Sequence, residues 1–236
     1  MKGTFMNGRL RLNAAYYDYE FEGYQTKWDN ITARAYTAAG PGVVQQIQGG
    51  LFNNNDASIS GIDLEYAYVV NADLTLGGSY TSTDSEYAAG SIGYANDPSY
   101  SGLAAATRDV SGQRVNDDAE SSLTFYLDHT VPAYWGGERY TRYNVSWRDE
   151  RTSAINPELK IKALYLANII VGWKSSDGVW DASFFVKNIT DDVDLSHIQA
   201  FYSDYHLPGG GSLPSKFYAA NTNMGRQLGA QLVYNF

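Results

Sequence analysis

Apolar and polar side chains alternate with a period of two along most of this chain. The last residues show it most clearly: Leu228, Ala230, Leu232, Tyr234 and Phe236 alternate with Gln227, Gly229, Gln231, Val233 and Asn235. Successive side chains of a strand point to opposite faces, so this segment has one apolar face and one mainly polar face. Seven earlier segments repeat the pattern. Their apolar frames run over alternate residues from Leu10 to Tyr16, Ile62 to Tyr68, Leu74 to Tyr80, Leu123 to Leu127, Tyr143 to Trp147, Tyr165 to Trp173 and Trp180 to Val186. No position in these eight apolar frames is charged, whereas the opposite frames hold Arg, Asp, Glu and Lys. A charge facing lipid costs roughly 2–4 kcal/mol at the bilayer midplane, so a clean frame suits a membrane wall. A soluble sandwich can show the same alternation, and periodicity alone does not choose the solvent.

The connections do choose. Three are tight: Asn71-Ala72-Asp73, Pro132 to Glu138, and Ser175-Ser176-Asp177-Gly178. Their residues supply the positive φ and the side-chain bonds to backbone that hairpins need. Between them lie long polar connections at about 26–57, 86–119 and 190–223, and a shorter one at 152–159. Short and long alternate, which in an up-and-down barrel puts every turn at one rim and every long loop at the other. The expected fold is therefore all-β: an antiparallel up-and-down transmembrane β-barrel segment of about eight strands, with short periplasmic turns and long extracellular loops. Tyr68, Tyr134, Trp135, Trp173, Trp180, Tyr234 and Phe236 gather near the short-turn rim, as an interfacial aromatic girdle would.

Composition agrees with this picture. Only 18% of the 236 residues are charged, 20 are Tyr and 23 are Gly, and the formal net charge is −9. Such acidity disfavours a nucleic-acid partner. With no cysteine, disulfides and thiolate sites are excluded. No run of about 18 apolar residues suggests a transmembrane helix, and a mean hydropathy of −0.37 is compatible with a barrel, whose alternation averages out.

Four stretches resemble one family. Gly8-Arg9-Leu10-Arg11-Leu12-Asn13-Ala14-Ala15-Tyr16-Tyr17-Asp18-Tyr19, Ser60-Gly61-Ile62-Asp63-Leu64-Glu65, Phe184-Phe185-Val186-Lys187-Asn188-Ile189-Thr190-Asp191, and Gly225-Arg226 to Phe236 are similar, in that order, to motifs in the C-terminal barrel portion of TonB-dependent outer-membrane receptors. Asp63 stands where the family more often has Glu. The resemblance implies a transporter of the Gram-negative outer membrane, importing a scarce ligand such as an iron-siderophore, cobalamin or an oligosaccharide. It implies contact with membrane lipid, with the barrel assembly machinery through Tyr234 and Phe236 of the last strand, and with the TonB system through an N-terminal part. Those receptors have about 22 strands and a plug, so residues 1–236 read as the C-terminal part of the barrel domain and Met1 as an internal methionine or artificial start. Two alternatives stay open: an autonomous eight-stranded outer-membrane barrel with a structural or adhesion role, and a secreted sugar-binding sandwich. The alternating loop lengths disfavour the sandwich.

No enzymatic pattern is present. His129, His197 and His206 form no helical metal-ligand pair, and His129 is expected at the rim or in the lumen. His197 and His206 share a loop with Asp191, Asp192, Asp194 and Asp204, a composition that is usually just solvated. Gly209-Gly210-Gly211-Ser212 lacks the phosphate-loop pattern and reads as a flexible loop tip. The expectation is no catalytic residue, no cofactor and no metal. Recognition belongs to loops carried on a rigid scaffold, so the candidate ligand-binding residues are the loop aromatics Trp28, Tyr94, Tyr100, Tyr202 and Tyr205 together with His206, and Tyr36 is a further loop ring. Packing of these rings against one another is an equal alternative. Arg9, Arg11, Asp63, Glu65, Arg142 and Arg148 are expected to face the lumen, paired across strands or touching cargo.

Overall fold

A computed structural model of the chain describes residues 1–28, 31–37, 40–46, 50–95, 106–115, 119–152, 159–206 and 212–236. Strand β1 (Lys2–Phe5) turns through Met6, Asn7 and Gly8, all at positive φ, into β2 (Leu10–Trp28). The next connection carries the hairpin β3 (Thr32–Thr37) and β4 (Gly40–Gln46), and then β5 (Leu51–Val69) returns along β2. A tight turn leads to β6 (Leu74–Tyr87). The hairpin β7 (Ile92–Ala95) and β8 (Ala106–Asp109) follows before β9 (Ser121–Pro132) and β10 (Glu138–Arg148). The pair β11 (Arg151–Thr152) and β12 (Lys160–Ile161) precedes β13 (Leu164–Lys174) and β14 (Trp180–Lys187). The hairpin β15 (Leu195–His206) and β16 (Ser212–Thr222) then leads to β17 (Gln227–Tyr234).

Nine of these strands form one antiparallel sheet in the order β1-β2-β5-β6-β9-β10-β13-β14-β17, so every sheet strand pairs with its sequence neighbours in the sheet. The sheet is not closed. β1 is a ninth strand beyond the eight expected, and the long connections hold hairpins of their own. Ser212, expected at a loop tip, begins β16; residues 209–211 lie outside the described residues. All four connections at one end are tight, and all four at the other are long.

Register decides which way each strand faces, because a slip of one residue would turn all its side chains to the opposite side. Directly paired residues share a face. Leu12 pairs with Tyr66, Tyr66 with Gly78, Gly78 with Phe125, Phe125 with Val145 and Val145 with Ala167. Farther along, Val171 pairs with Phe184 and Phe184 with Ala230. All eight apolar frames therefore fall on a single face of the sheet. Many of their large side chains are exposed there, among them Tyr16, Ile62, Val171, Phe184, Leu228 and Leu232. An exposed apolar band of this extent is a membrane face rather than a water face. Of the two places expected for His129, the lumen needs correction: it pairs with Leu74 and Thr141 and thus lies on the outer face, one frame step beyond Leu127 and three residues from the short-turn end of β9.

The inner face is smoothed by glycines opposite aromatics. Gly77, Gly172 and Gly229 pair with Tyr126, with Tyr140 and with Phe185, and each ring lies across its glycine. A Cβ at Gly172 would sit 2.2 Å from the Tyr140 ring, whose hydroxyl donates to Asp181 at 2.7 Å. Gly172→Ala is expected to lift that ring off the wall and cost about 1–3 kcal/mol, the usual penalty of overpacking. Urea unfolding in lipid checks this. A compensating Tyr140→Ala should recover most of the loss, and additive effects would overturn the account.

Candidate functional site

The long-loop rim is built on strands that outrun the membrane band. β2 and β5 have 19 residues each, and β6 has 14. Near the top of the band β2 bulges between Phe21 and Tyr24, where Gly23 takes φ +68° and its N–H donates to Asp56 at 2.9 Å. Beyond the bulge a small core closes. Trp28, Ile31, Ala57, Tyr87, Val110 and Val115 are buried together, flanked by Tyr24, Leu51 and Tyr94. Polar bonds lock the β7–β8 hairpin over it: the Asn55 amide accepts from Ile92 N–H and donates to Ile92 C=O, each at 3.0 Å. The Tyr87 hydroxyl bonds to Thr26 at 2.6 Å and donates to Val115 C=O at 3.2 Å. The Arg108 guanidinium stacks over the Trp28 ring at 5.6 Å, and Arg114 pairs with Glu120 at 3.1 Å. The described part of this rim is thus a folded platform.

A second cluster joins the last two long connections. Arg148 pairs with Asp194 and Lys162 with Asp192. Asp192 also accepts the Tyr165 N–H at 2.9 Å, and Asp191 accepts the Arg226 N–H at 2.7 Å. These carboxylates are thus occupied by protein donors, and among the described residues no group of three or more acids or histidines is placed to hold a metal. Lys162 first, and then the Tyr165 amide, hold the Asp192 carboxyl below its ordinary value. A carboxylate with a lowered folded pKa contributes stability that is complete above its unfolded value, near 3.9, and is lost as pH falls through the folded value. Protection of the Tyr165 amide, measured against its intrinsic exchange rate, should hold at neutral pH and drop below about pH 4. Lys162→Met should move that drop to higher pH, and an unmoved midpoint would exclude Lys162 as the cause.

The candidate ligand contacts separate into three groups. Trp28 is 1% exposed and belongs to the platform core, so it offers no face to a ligand; the packing alternative describes it. Tyr94 is half-buried against that core. Tyr202, Tyr205 and His206 lie on β15, paired with Lys216, Leu213 and Ser212, and their side chains lie outside what is described, as does that of Tyr36 on β3. Tyr100 lies outside the described residues altogether. At the opposite rim Tyr234 faces outward, with its ring 4.7 Å from Trp180 and 5.1 Å from Phe236.

Of the charges expected inside, Arg142 pairs with Asp128 at 3.7 Å, and Glu65 accepts from Asn13 at 3.2 Å. Arg9 instead caps the next turn, donating to the carbonyls of Val69 and Val70 beside the Tyr68 ring. Arg11 and Glu65 line a polar recess of about 210 Å³ with Asn13 and Tyr126 on the inner wall. Sequence reasoning missed the two rim clusters. The acids of the second were visible, but their basic partners lie some 30 or more residues away.

No family model matches the chain, and no curated protein matches it by sequence. Solved structures do match. The siderophore receptor PiuA from Acinetobacter baumannii is 13% identical with a TM-score of 0.64, over 98% of this chain and 27% of that one. The ferric yersiniabactin uptake receptor FyuA from Yersinia pestis is 13% identical with a TM-score of 0.58, over 100% and 36%. The ferripyoverdine receptor of Pseudomonas aeruginosa is 14% identical with a TM-score of 0.57, over 100% and 26%. This chain thus spans about a quarter to a third of the receptors it resembles. All three are described as receptors. The chain has the fold of a stretch of the β-barrel wall of TonB-dependent siderophore receptors.

Proposed function

We propose that this chain is the C-terminal part of the barrel of an outer-membrane receptor that imports a ferric siderophore with energy delivered through TonB. The observation that carries the reading is the union of nine sheet strands in sequence order, one continuous apolar face, and all long connections at one rim. Its likeness to siderophore receptors over 98–100% of its length favours an iron chelate above cobalamin or an oligosaccharide. An autonomous eight-stranded barrel is less well supported, since there are nine strands, and β1 and β17 each pair on one side only.

In this reading the platform around Trp28 braces the β7–β8 hairpin, and Tyr100, Tyr202, Tyr205 and His206 contact the ligand. Tyr94, packed against the platform, is a further contact. Tyr234 and Phe236, ending the last strand, form the signal read by the barrel assembly machinery, with the C-terminus in the periplasm. The test is uptake of radioactive iron by an iron-starved strain lacking the full-length protein, supplied with hydroxamate, catecholate or mixed siderophores. At least one should require the protein and an energised inner membrane. Unchanged uptake of every class, with the folded protein present in the outer membrane of the parent, would reject the siderophore.

A further inference from the structure

The outer face carries a depression. An open groove of about 620 Å³ crosses β13, β14 and β17 close to the short-turn rim. Its floor is low because Ala182 and Ala230 stand where neighbouring positions of the same face carry large side chains. Trp173, Phe184 and Leu232 form its walls, and Arg139 and Trp135 stand at its rim-side end. That volume lies within the range of about 300–1,000 Å³ typical of small-molecule sites, and apart from Arg139, Ser183 and Gln231 the lining side chains are apolar.

Arg139 is the anomaly. It pairs with Trp173 and Val131, so it shares their outward face, directly after the turn at residues 133–137. It is exposed, and no described residue offers it a hydrogen bond, ion pair or stacked ring. A cation facing outward at the level of an aromatic belt wants an anion at the interface. Trp173 is fixed beside it by donating from Nε1 to Gly136 C=O at 2.7 Å, while Trp135 is largely exposed. The far rim has the opposite sign: Asp18, Glu20, Asp84 and Glu86 share the outer face just above the apolar band and would repel an anionic headgroup.

We infer that this groove binds one anionic glycerophospholipid from the leaflet on the short-turn side. Its phosphate rests on the Arg139 guanidinium between Trp135 and Trp173, and one acyl chain runs over Ala182 and Ala230 toward the bilayer centre. Charge complementarity selects the headgroup, and the two alanines make room for the chain. The inference rests on the membrane-barrel reading, though not on the identity of the cargo.

The full-length protein in detergent, supplied with phosphatidylglycerol, would be examined by native mass spectrometry as wild type, Arg139→Gln and Ala182→Leu/Ala230→Leu. Heat-modifiable migration establishes first that each is a folded barrel; a wild type without it refutes the membrane reading itself, which is a separate failure. One lipid should remain on the wild type, with retention lowered about tenfold or more in each variant and unaffected by excess inorganic phosphate. Equal retention in all three makes the lipid non-specific and overturns the inference. Loss in only one variant overturns it too, because headgroup and chain then do not share the groove.

Discussion

Replacing Phe184 with arginine is expected to destabilise the folded protein in a bilayer by about 2–4 kcal/mol. Phe184 lies mid-strand on β14, between Val171 and Ala230 on the outer face, and is 52% exposed without lipid around it. For a water-facing sheet the same substitution would be neutral or favourable, since an exposed aromatic gives way to a solvated charge. In lipid the guanidinium must snorkel or thin the membrane, and the cost depends on depth. Gln231→Arg is the control: Gln231 pairs with Ser183 on the inner face, one residue out of phase with Ala230 and Leu232. It should change stability by less than about 0.5 kcal/mol, as an exposed surface substitution does. Urea titration of both variants in liposomes, beside wild type, decides the matter. Equal effects would mean that the apolar face does not contact lipid.

The wall of the barrel was legible because its physics is local. A strand that faces lipid must keep one frame free of charge, and each of the eight segments carries that constraint independently. Pairings such as Leu64 with Tyr80 and Trp147 with Tyr165 then bring those frames onto one face. His129 belonged outside by the same parity, but its frame was read only as far as Leu127. β1 was missed because four residues carry too little alternation to count, although Asn7-Gly8 after Phe5 is a recognisable hairpin turn.

The rim was far less legible. Trp28 looks like a ligand-facing ring in a polar stretch until nearby Ile31 and, from distant positions, Tyr87, Val110 and Val115 converge on it. No period connects those residues. Gly93 shows the same closeness, since a Cβ there would meet the Trp28 ring at 2.6 Å. The acids of residues 190–194 read as solvated loop carboxylates, yet protein donors from three other segments, Arg148, Lys162 and Arg226, bind them. Loop chemistry read from composition alone therefore overstates what is free to bind.

The stretch from Phe184 to Asp191, one of the four that resemble the receptor family, has a structural reason for its asparagine, and this yields the sharpest mutational expectation. Asn188 ends β14 at φ +50°, in the left-handed region, and is 6% exposed. Its side chain accepts the Asp192 N–H at 3.1 Å and donates to Asp192 C=O at 2.9 Å, while its own N–H donates to the Asn168 side chain at 2.9 Å. Asp191, also left-handed, then binds the Arg226 N–H and so ties the exit of β14 to the entry of β17. Asn188→Ala removes the buried amide, worth about 1–3 kcal/mol when its partners are left unsatisfied. It also forces a Cβ-bearing residue with no local side-chain bond into left-handed backbone, at roughly 1–2 kcal/mol. Asn188→Gly suffers only the first loss. Alanine should therefore be the more damaging by about 1–2 kcal/mol, with both variants loosening the segment around residues 191–194 and 223–226. Unfolding free energies in liposomes, with amide exchange across those residues, provide the check. If alanine and glycine proved equally harmful, the left-handed turn would not be what the asparagine supplies, and the side-chain bonds alone would have to explain it.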